Sequence, residues 1–287
     1  AYVGEEDGSV KTGSHALDQN LGGLYPGELI LLGGRPSMGK TGVALSIALN
    51  AARAGHGVAI ASLEMNPEAM AIRALSEGTS HTGTAVSYAQ MRRGDMADFH
   101  VDALRKSAAV VADLPITFLP RQFSDLGALF AGAKQIKRIM GDQLRLMVID
   151  YAQLLRAQGK SRYEQITEIS IALKALAGQI NVPVIALSQL SRAVEQREDK
   201  RPQLSDLRES GQLEQDADTV LFCYRDEYYV ERMRPALDAP VDEHEAWRAA
   251  MESARNRLEV IVAKQRQGEI GTAHMRFNPA LNLIWED

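Results

Sequence analysis

The sequence predicts an α/β fold, a mainly parallel twisted sheet flanked by helices, with antiparallel strands at its C-terminal edge. Three observations carry that expectation. Short apolar runs alternate with longer helical stretches through most of the chain, the order that parallel strands with crossover helices require. One such run, Leu29–Leu32, ends in Gly33-Gly34 and leads through Arg35, Pro36, Ser37 and Met38 to Gly39-Lys40-Thr41. It fits G-x-x-x-x-G-K-[ST] between a strand and an alanine-rich helix over Val43–Ala54. The closing stretch, Leu258–Trp285, carries strand-like runs with no helix between them, so hairpins are expected there.

The 287 residues are 45% hydrophobic and 24% charged, an ordinary globular composition. No linker rich in Pro, Gly or Ser divides them, so one domain over 1–287 is expected. Cys223 is the only cysteine, which excludes a disulfide within the chain. No apolar run reaches the length of a membrane span and no signal peptide opens the chain. A cytoplasmic setting without membrane contact is the expectation. The net charge of -5 offers no global attraction to nucleic acid, so such a contact needs a local basic or backbone-amide site.

Taken in order, residues 1–12 are polar and charged and read as a frayed remnant of a linker. From Thr12 the chain turns into a short helix carrying Leu17 and Leu21, which Gly22-Gly23 and Pro26-Gly27 end. Val58–Leu63 reads as a strand with Glu64 just past it, and Pro67 opens a helix to about Glu77. A helix is expected over Asp95–Ala112, a short strand over Ile116–Leu119, and a helix capped by Ser124 to Met140. The apolar strand Leu144–Asp150 ends in an acid. A long helix over Tyr163–Ile180 precedes the buried-type strand Val184–Leu187. Residues 191–218 read as loop with one short helix, and Thr219–Tyr224 as a strand. Asp238–Arg257 is a polar helical stretch, and Leu258–Ala263, Thr272–Phe277 and Leu281–Trp285 are the last strands.

Ligands of open parallel sheets bind beyond the carboxyl ends of the strands. Here four strands deliver polar groups to those ends. The glycine loop presents backbone N–H groups and a helix N-terminus to phosphate, Lys40 suits the β- and γ-phosphates, and the Thr41 hydroxyl suits magnesium. Asp150 suits a carboxylate that holds the water shell of the same magnesium. Glu64 is placed to polarise the water that attacks the γ-phosphate, though an acid after a strand also serves as a plain turn or cap residue. Gln189 is placed to sense that phosphate. Lys264 and Arg266, two apart in an extended segment, share a face. They fit either a solvated edge or cations that reach the nucleotide of a neighbouring subunit.

Arg35-Pro-Ser-Met-Gly-Lys-Thr41, Ser62-Leu-Glu-Met65, Ile149-Asp-Tyr-Ala-Gln-Leu154 and Leu187-Ser-Gln-Leu-Ser-Arg192 resemble successive motifs of the bacterial replicative helicase DnaB. Asp206-Leu-Arg-Glu-Ser-Gly211, Glu214–Asp218 and Ala263-Lys-Gln-Arg266 continue the series in the same order, from about Thr12 to the C-terminus. The resemblance implies a RecA-like P-loop ATPase domain that hydrolyses ATP with magnesium between the subunits of a hexameric ring while single-stranded DNA threads the channel. It implies Glu64 as the catalytic carboxylate, Asp150 as the magnesium-side acid, Gln189 as the γ-phosphate sensor, and Lys264 and Arg266 as the residues acting in trans. Arg73 matches a position near the nucleotide, which a solvated helix arginine also fits. Arg208, Glu209 and Gly211 match the DNA-facing loop, with Glu209 helping through its amide alone and Gly211 letting backbone approach the strand.

Primase and a helicase loader are partners that the resemblance implies. The family's N-terminal collar has no counterpart in the sequence, so the expected ring is a weak one. Ala152 stands where a bulkier apolar residue is usual, and about 230–257 is longer than usual, a surface decoration by default. Two other classes stay open at this stage. One is a RecA-like recombination or repair ATPase that forms filaments on DNA. The other is a nucleotide-binding module without turnover.

Overall fold

The structure, a computed structural model, describes residues 8–119, 123–150, 152–159 and 161–286, with the backbone alone at 208–210. The first helix, α1 (His15–Leu21), is capped by Ser14, whose hydroxyl accepts from Leu17 N, and it stops at Gly22 with φ 71°. The phosphate loop runs from β1 (Leu29–Gly34), buried throughout, into α2 (Lys40–Arg53). Next come β2 (Gly57–Ser62) and α3 (Pro67–Thr79), which Asn66 caps and Pro67 opens. Two helices, α4 (Tyr88–Arg93) and α5 (Asp98–Ala112), stand where one was expected, because Ser87 and Gln90 form a capping box and Gly94 ends the first. Beyond β3 (Ile116–Leu119), α6 (Leu126–Met140) is capped by Asp125 and not by Ser124.

After β4 (Leu144–Asp150), α7 (Arg162–Ile180) has a Ser161–Glu164 capping box and ends on Asn181 in the left-handed region, followed by β5 (Val184–Gln189). The expected loop is richer than predicted. It holds 3-10 helices at Arg192–Gln196 and Leu204–Ser210 and the short α8 (Gly211–Asp216). Then follow β6 (Thr219–Tyr224), α9 (Asp226–Arg232), α10 (Val241–Ala254) and the hairpin strands β7 (Arg257–Gln265), β8 (Gly271–Asn278) and β9 (Leu283–Trp285).

The strands form one sheet in the order β3-β2-β4-β5-β1-β6-β7-β8-β9. The pairings from β3 through β6 are parallel, and those from β6 onward are antiparallel. The expected fold class is the one observed. Because strand side chains alternate, β1 divides its apolar residues between two cores. Ile30 and Leu32 join Val43, Leu45 and Leu49 of α2 on one face. Leu29 and Leu31 join Leu173 and Leu176 of α7 on the other. With both faces covered, the only places to carry chemistry are the strand ends, and β1 lies between β5 and β6 with its end at the centre.

The expectation of a frayed start fails for residues 8–12. Val10 is fully buried and exchanges backbone hydrogen bonds with Leu24 at 2.9 and 2.8 Å, while Thr12 is also buried. Residues 1–7 lie outside the described residues. In the long 230–257 segment, α10 buries only Ala254, and Trp247 Nε1 donates to Val230 O at 2.8 Å to hold it on the body.

Candidate nucleotide site

Two residues of the phosphate loop occupy the left-handed region, Ser37 at φ 66° and Gly39 at φ 92°. Gly39 has no freedom to carry a side chain, since a Cβ there would approach the Phe277 ring to 3.1 Å. Phe277 comes from β8, so the antiparallel hairpin closes one side of the loop. Lys40 folds over the loop and donates to the carbonyls of Gly34 at 2.7 Å and Arg35 at 3.1 Å. Burial lowers its pKa, and nearby Asp150 and Glu64 oppose that shift.

Around it lies a cavity of about 450 Å³ lined by Pro36, Ser37, Lys40, Thr41, Glu64 and Asp150, with Arg73, Gln189, Arg225 and Phe277 on its other walls. The structure therefore gathers the polar ends of β1, β2, β4 and β5 at one place, as the strand-end reasoning expects. Thr41 Oγ1 donates to Asp150 Oδ2 at 3.0 Å. Asp150 is 2% exposed, and its carboxyl is pushed up to about 6, first by burial and then by the like charge of Glu64. The Thr41 hydrogen bond, Lys40 and Arg73 oppose that rise. A carboxylate held at such cost beside a hydroxyl fits a hard cation with oxygen ligands. Among the described residues no three His, Cys, Asp or Glu side chains converge as a metal cage. That suits magnesium, which takes one or two protein oxygens and completes its shell with water and phosphate.

Glu64 follows β2, and its backbone N–H lies 3.4 Å from Asp150 O. Arg73 of α3 lies over the Tyr88 ring and donates to Asn282 Oδ1 at 3.2 Å, while its buried Nε has no partner among the described residues.

Three expectations need correction. The Arg35 side chain turns away from the cavity, with Nε on Glu195 at 2.9 Å and NH1 on Leu190 O at 2.9 Å, so only its backbone faces the loop. Met38 is buried in the core under the loop and offers no side chain to a ligand. Gly34 does not line the cavity; its carbonyl holds Lys40, and a Cβ there would lie 3.1 Å from Lys40 Cγ.

Lys264 and Arg266 share a face, as expected, but that face meets their own chain. Lys264 Nζ donates to the carbonyls of Glu214 at 2.6 Å and Ala217 at 2.8 Å, at the C-terminus of α8. Arg266 donates to Asp218 Oδ1 at 3.1 Å and Gln215 O at 2.9 Å. Neither borders the cavity of the same chain. The side chains of Arg208 and Glu209 lie outside the described residues, and their backbone is in the 3-10 helix Leu204–Ser210. Gly211 has φ -54°, an ordinary helical value, so no backbone demand requires glycine there. A Cβ would meet nothing within 4 Å, which leaves the backbone open to approach.

Two residues escaped the sequence reading. Arg225 follows β6, donates to Ser37 O at 3.1 Å and lies over the Phe277 ring. The rule used for the other strands, a polar group at the carboxyl end, would have found it. Gln153 spans two strand ends: its Nε2 donates to Ser188 Oγ at 2.7 Å and Gln189 O at 3.2 Å, and its Oε1 accepts from Gln189 N at 3.3 Å.

Residues 9–284 match the model of the DnaB-like helicase C-terminal domain. The chain belongs to that family. It is 39% identical over 284 residues to the replicative DNA helicase DnaB of Rickettsia bellii (strain RML369-C), covering 94% of this chain and 56% of that protein. Among solved structures, it is similar to an isolated ATPase domain, with a TM-score of 0.84 and 35% identity, covering 98% of this chain and 93% of that one. It is also similar to a DnaB-like replicative helicase described with its interactions with primase, with a TM-score of 0.83 and 35% identity, covering 97% and 62% of the two chains. The chain thus spans about half the length of the curated relative. Among the described residues no helix is long and apolar enough to cross a membrane.

Proposed function

We propose that this DnaB-family chain is the ATP-hydrolysing motor of a replicative DNA helicase. In this reading it moves on single-stranded DNA as a hexameric ring and unwinds duplex in the cytoplasm. The observation that carries the reading is the gathering of Lys40, Thr41, Glu64, Asp150 and Gln189 on one cavity at the carboxyl ends of four strands. A recombination ATPase would share the phosphate loop, but the match over residues 9–284 favours the helicase.

Lys40 leaves the carbonyls of Gly34 and Arg35 and bridges the β- and γ-phosphates, a move that exchanges neutral acceptors for charged ones. Magnesium, when bound with the nucleotide, neutralises charge on the β- and γ-oxygens, and Thr41 and Asp150 are the residues that hold it. Glu64 accepts the proton of the attacking water, Gln189 contacts the γ-phosphate, and Arg73 and Arg225 bind the nucleotide at the cavity walls. Arg266, with Lys264, is supplied to the neighbouring subunit's nucleotide, a contribution on the order of 10³-fold or more in rate. Arg208, Glu209 and Gly211 face single-stranded DNA and hold its backbone without reading sequence. Primase and a loader are the expected protein partners.

Lys40→Ala tests the site directly. Nucleotide binding, followed by titration calorimetry, is expected to vanish, and ATP turnover at the wild-type rate in this variant would remove the assignment.

A further inference from the structure

Arg35 joins two regions that the proposed mechanism must connect. Its carbonyl accepts from Lys40 Nζ at 3.1 Å, so its backbone belongs to the phosphate loop. Its guanidinium belongs elsewhere. It donates to Leu190 O, immediately after Gln189, and to Glu195 on the 3-10 helix Arg192–Gln196. The strand contact runs the same way, with Leu190 N 3.4 Å from Gly34 O.

One residue beyond that 3-10 helix, Arg197 grips both oxygens of Asp206 at 3.2 and 2.8 Å. Asp206 is buried, accepts from Gln203 N at 2.7 Å, and offers its carbonyl to Ser191 N at 3.2 Å. It lies in the 3-10 helix Leu204–Ser210, whose backbone leads straight into the segment proposed to face DNA. Two ion pairs in series, Arg35–Glu195 and Arg197–Asp206, therefore run from the phosphate loop to that segment. They follow the wall of a second cavity of about 430 Å³ that Arg35, Gln153, Gln189 and Asp206 also line.

The first pair is lopsided. The Arg35 side chain is 9% exposed and that of Glu195 is 38% exposed. A buried guanidinium must keep its acceptors, and Leu190 O remains available if Glu195 is lost. Glu195 is thus the removable half of the link, half in water and outside the nucleotide cavity. We propose that Glu195 is a positioning residue which, through Arg35, couples the phosphate loop to the DNA-facing segment, so that engagement of a single strand sets the rate of ATP turnover. This rests on the proposed motor function. Coupling of this kind is reciprocal: the factor by which DNA tightens nucleotide equals the factor by which nucleotide tightens DNA. A residue with a merely structural role has no reason to lower both factors together.

The test uses the full chain with single-stranded oligothymidine and a non-hydrolysable ATP analogue, comparing wild type, Glu195→Ala and Glu195→Gln. For Glu195→Ala the expected result is basal ATPase within about twofold of wild type and DNA stimulation reduced about fivefold or more. The analogue-induced tightening of oligothymidine should fall by the same factor as the oligothymidine-induced tightening of the analogue. Glu195→Gln, which keeps an acceptor for Arg35 but loses the charge, should fall between. Wild-type stimulation in Glu195→Ala would overturn the proposal. So would a loss of oligothymidine affinity that is equal with and without the analogue, which would mark a direct DNA contact. A wild-type chain whose ATPase ignores oligothymidine removes the DNA reading itself and the coupling with it, a failure visible before any variant is made.

Discussion

Replacing Asp150 with Asn should make the nucleotide-free protein more stable while disabling it. The carboxyl is buried, and it titrates at about 6 in the fold against 3.8 without the fold's influence. Ionising it inside the fold therefore costs about 3 kcal/mol relative to ionising it in the unfolded chain. Because the folded pKa is raised, the stabilising contribution of the protonated form is fully present below about pH 3.8 and lost as pH rises through about 6. Asn keeps an oxygen for the Thr41 hydroxyl and carries no charge. Its gain over wild type should be about 3 kcal/mol at pH 7.5, about half that at pH 5, and near zero below pH 4. For a domain of this size that is a rise in Tm of roughly 5–10 °C at pH 7.5. Thermal or urea unfolding in EDTA without nucleotide reads it. A variant no more stable than wild type at pH 7.5, or a gain that does not change with pH, refutes the buried-carboxylate account. Adding magnesium and nucleotide should then favour wild type, because a ligand that binds only the native site stabilises by mass action.

Three further outcomes follow from the geometry. Arg266→Ala should leave nucleotide affinity unchanged and stop turnover, and mixing it with Glu64→Gln should restore part of the ATPase through hybrid interfaces; no recovery in the mixture counts against catalysis between subunits. Gln153→Ala removes three hydrogen bonds that fix the end of β5 and should lower kcat by about tenfold with little change in KM, read by steady-state ATPase kinetics. Val10→Ala should cost about 1–2 kcal/mol in urea unfolding, since Val10 is fully buried; an unchanged midpoint would return residues 8–12 to the frayed end that their composition suggests.

What the sequence carried well was whatever a period or a strict spacing encodes. Leu29–Leu32, Leu144–Ile149 and Val184–Leu187 are largely apolar because both faces of their strands are covered, and the polar residue that ends each run sits at the sheet edge. Short elements carried less. The helix Tyr88–Arg93 was readable from Ser87 and Gln90 at capping-box spacing, yet six residues are too few for a hydrophobic period. Val10 is a lone apolar residue among charges, and its burial depends on Leu24, which no local pattern can announce. Side-chain direction was the least legible. The motif places Arg35 in the phosphate loop but does not say which way it turns, and that turn is decided by Glu195, 160 positions away in the chain.

Arg35 and Arg266 show how burial sorts two cations that the motifs group around one nucleotide. Arg266 is 49% exposed at its side chain and makes two hydrogen bonds to its own chain. Asp218, which it touches, still accepts from Leu29 N at 2.8 Å and Lys174 Nζ at 2.6 Å through its other oxygen. If Arg266 leaves, that carboxylate keeps two donors, and water can reach the side that is vacated. The contact is a half-exposed ion pair of the kind worth at most about 1 kcal/mol, small beside what a triphosphate on a neighbouring subunit can offer. Arg35 has no such freedom: withdrawing it would strand a buried guanidinium away from water at a cost of several kcal/mol, on the order seen for unpaired buried charges. The exposed arginine can be lent across a subunit boundary and the buried one cannot, so the same residue type serves catalysis in one place and transmission in the other.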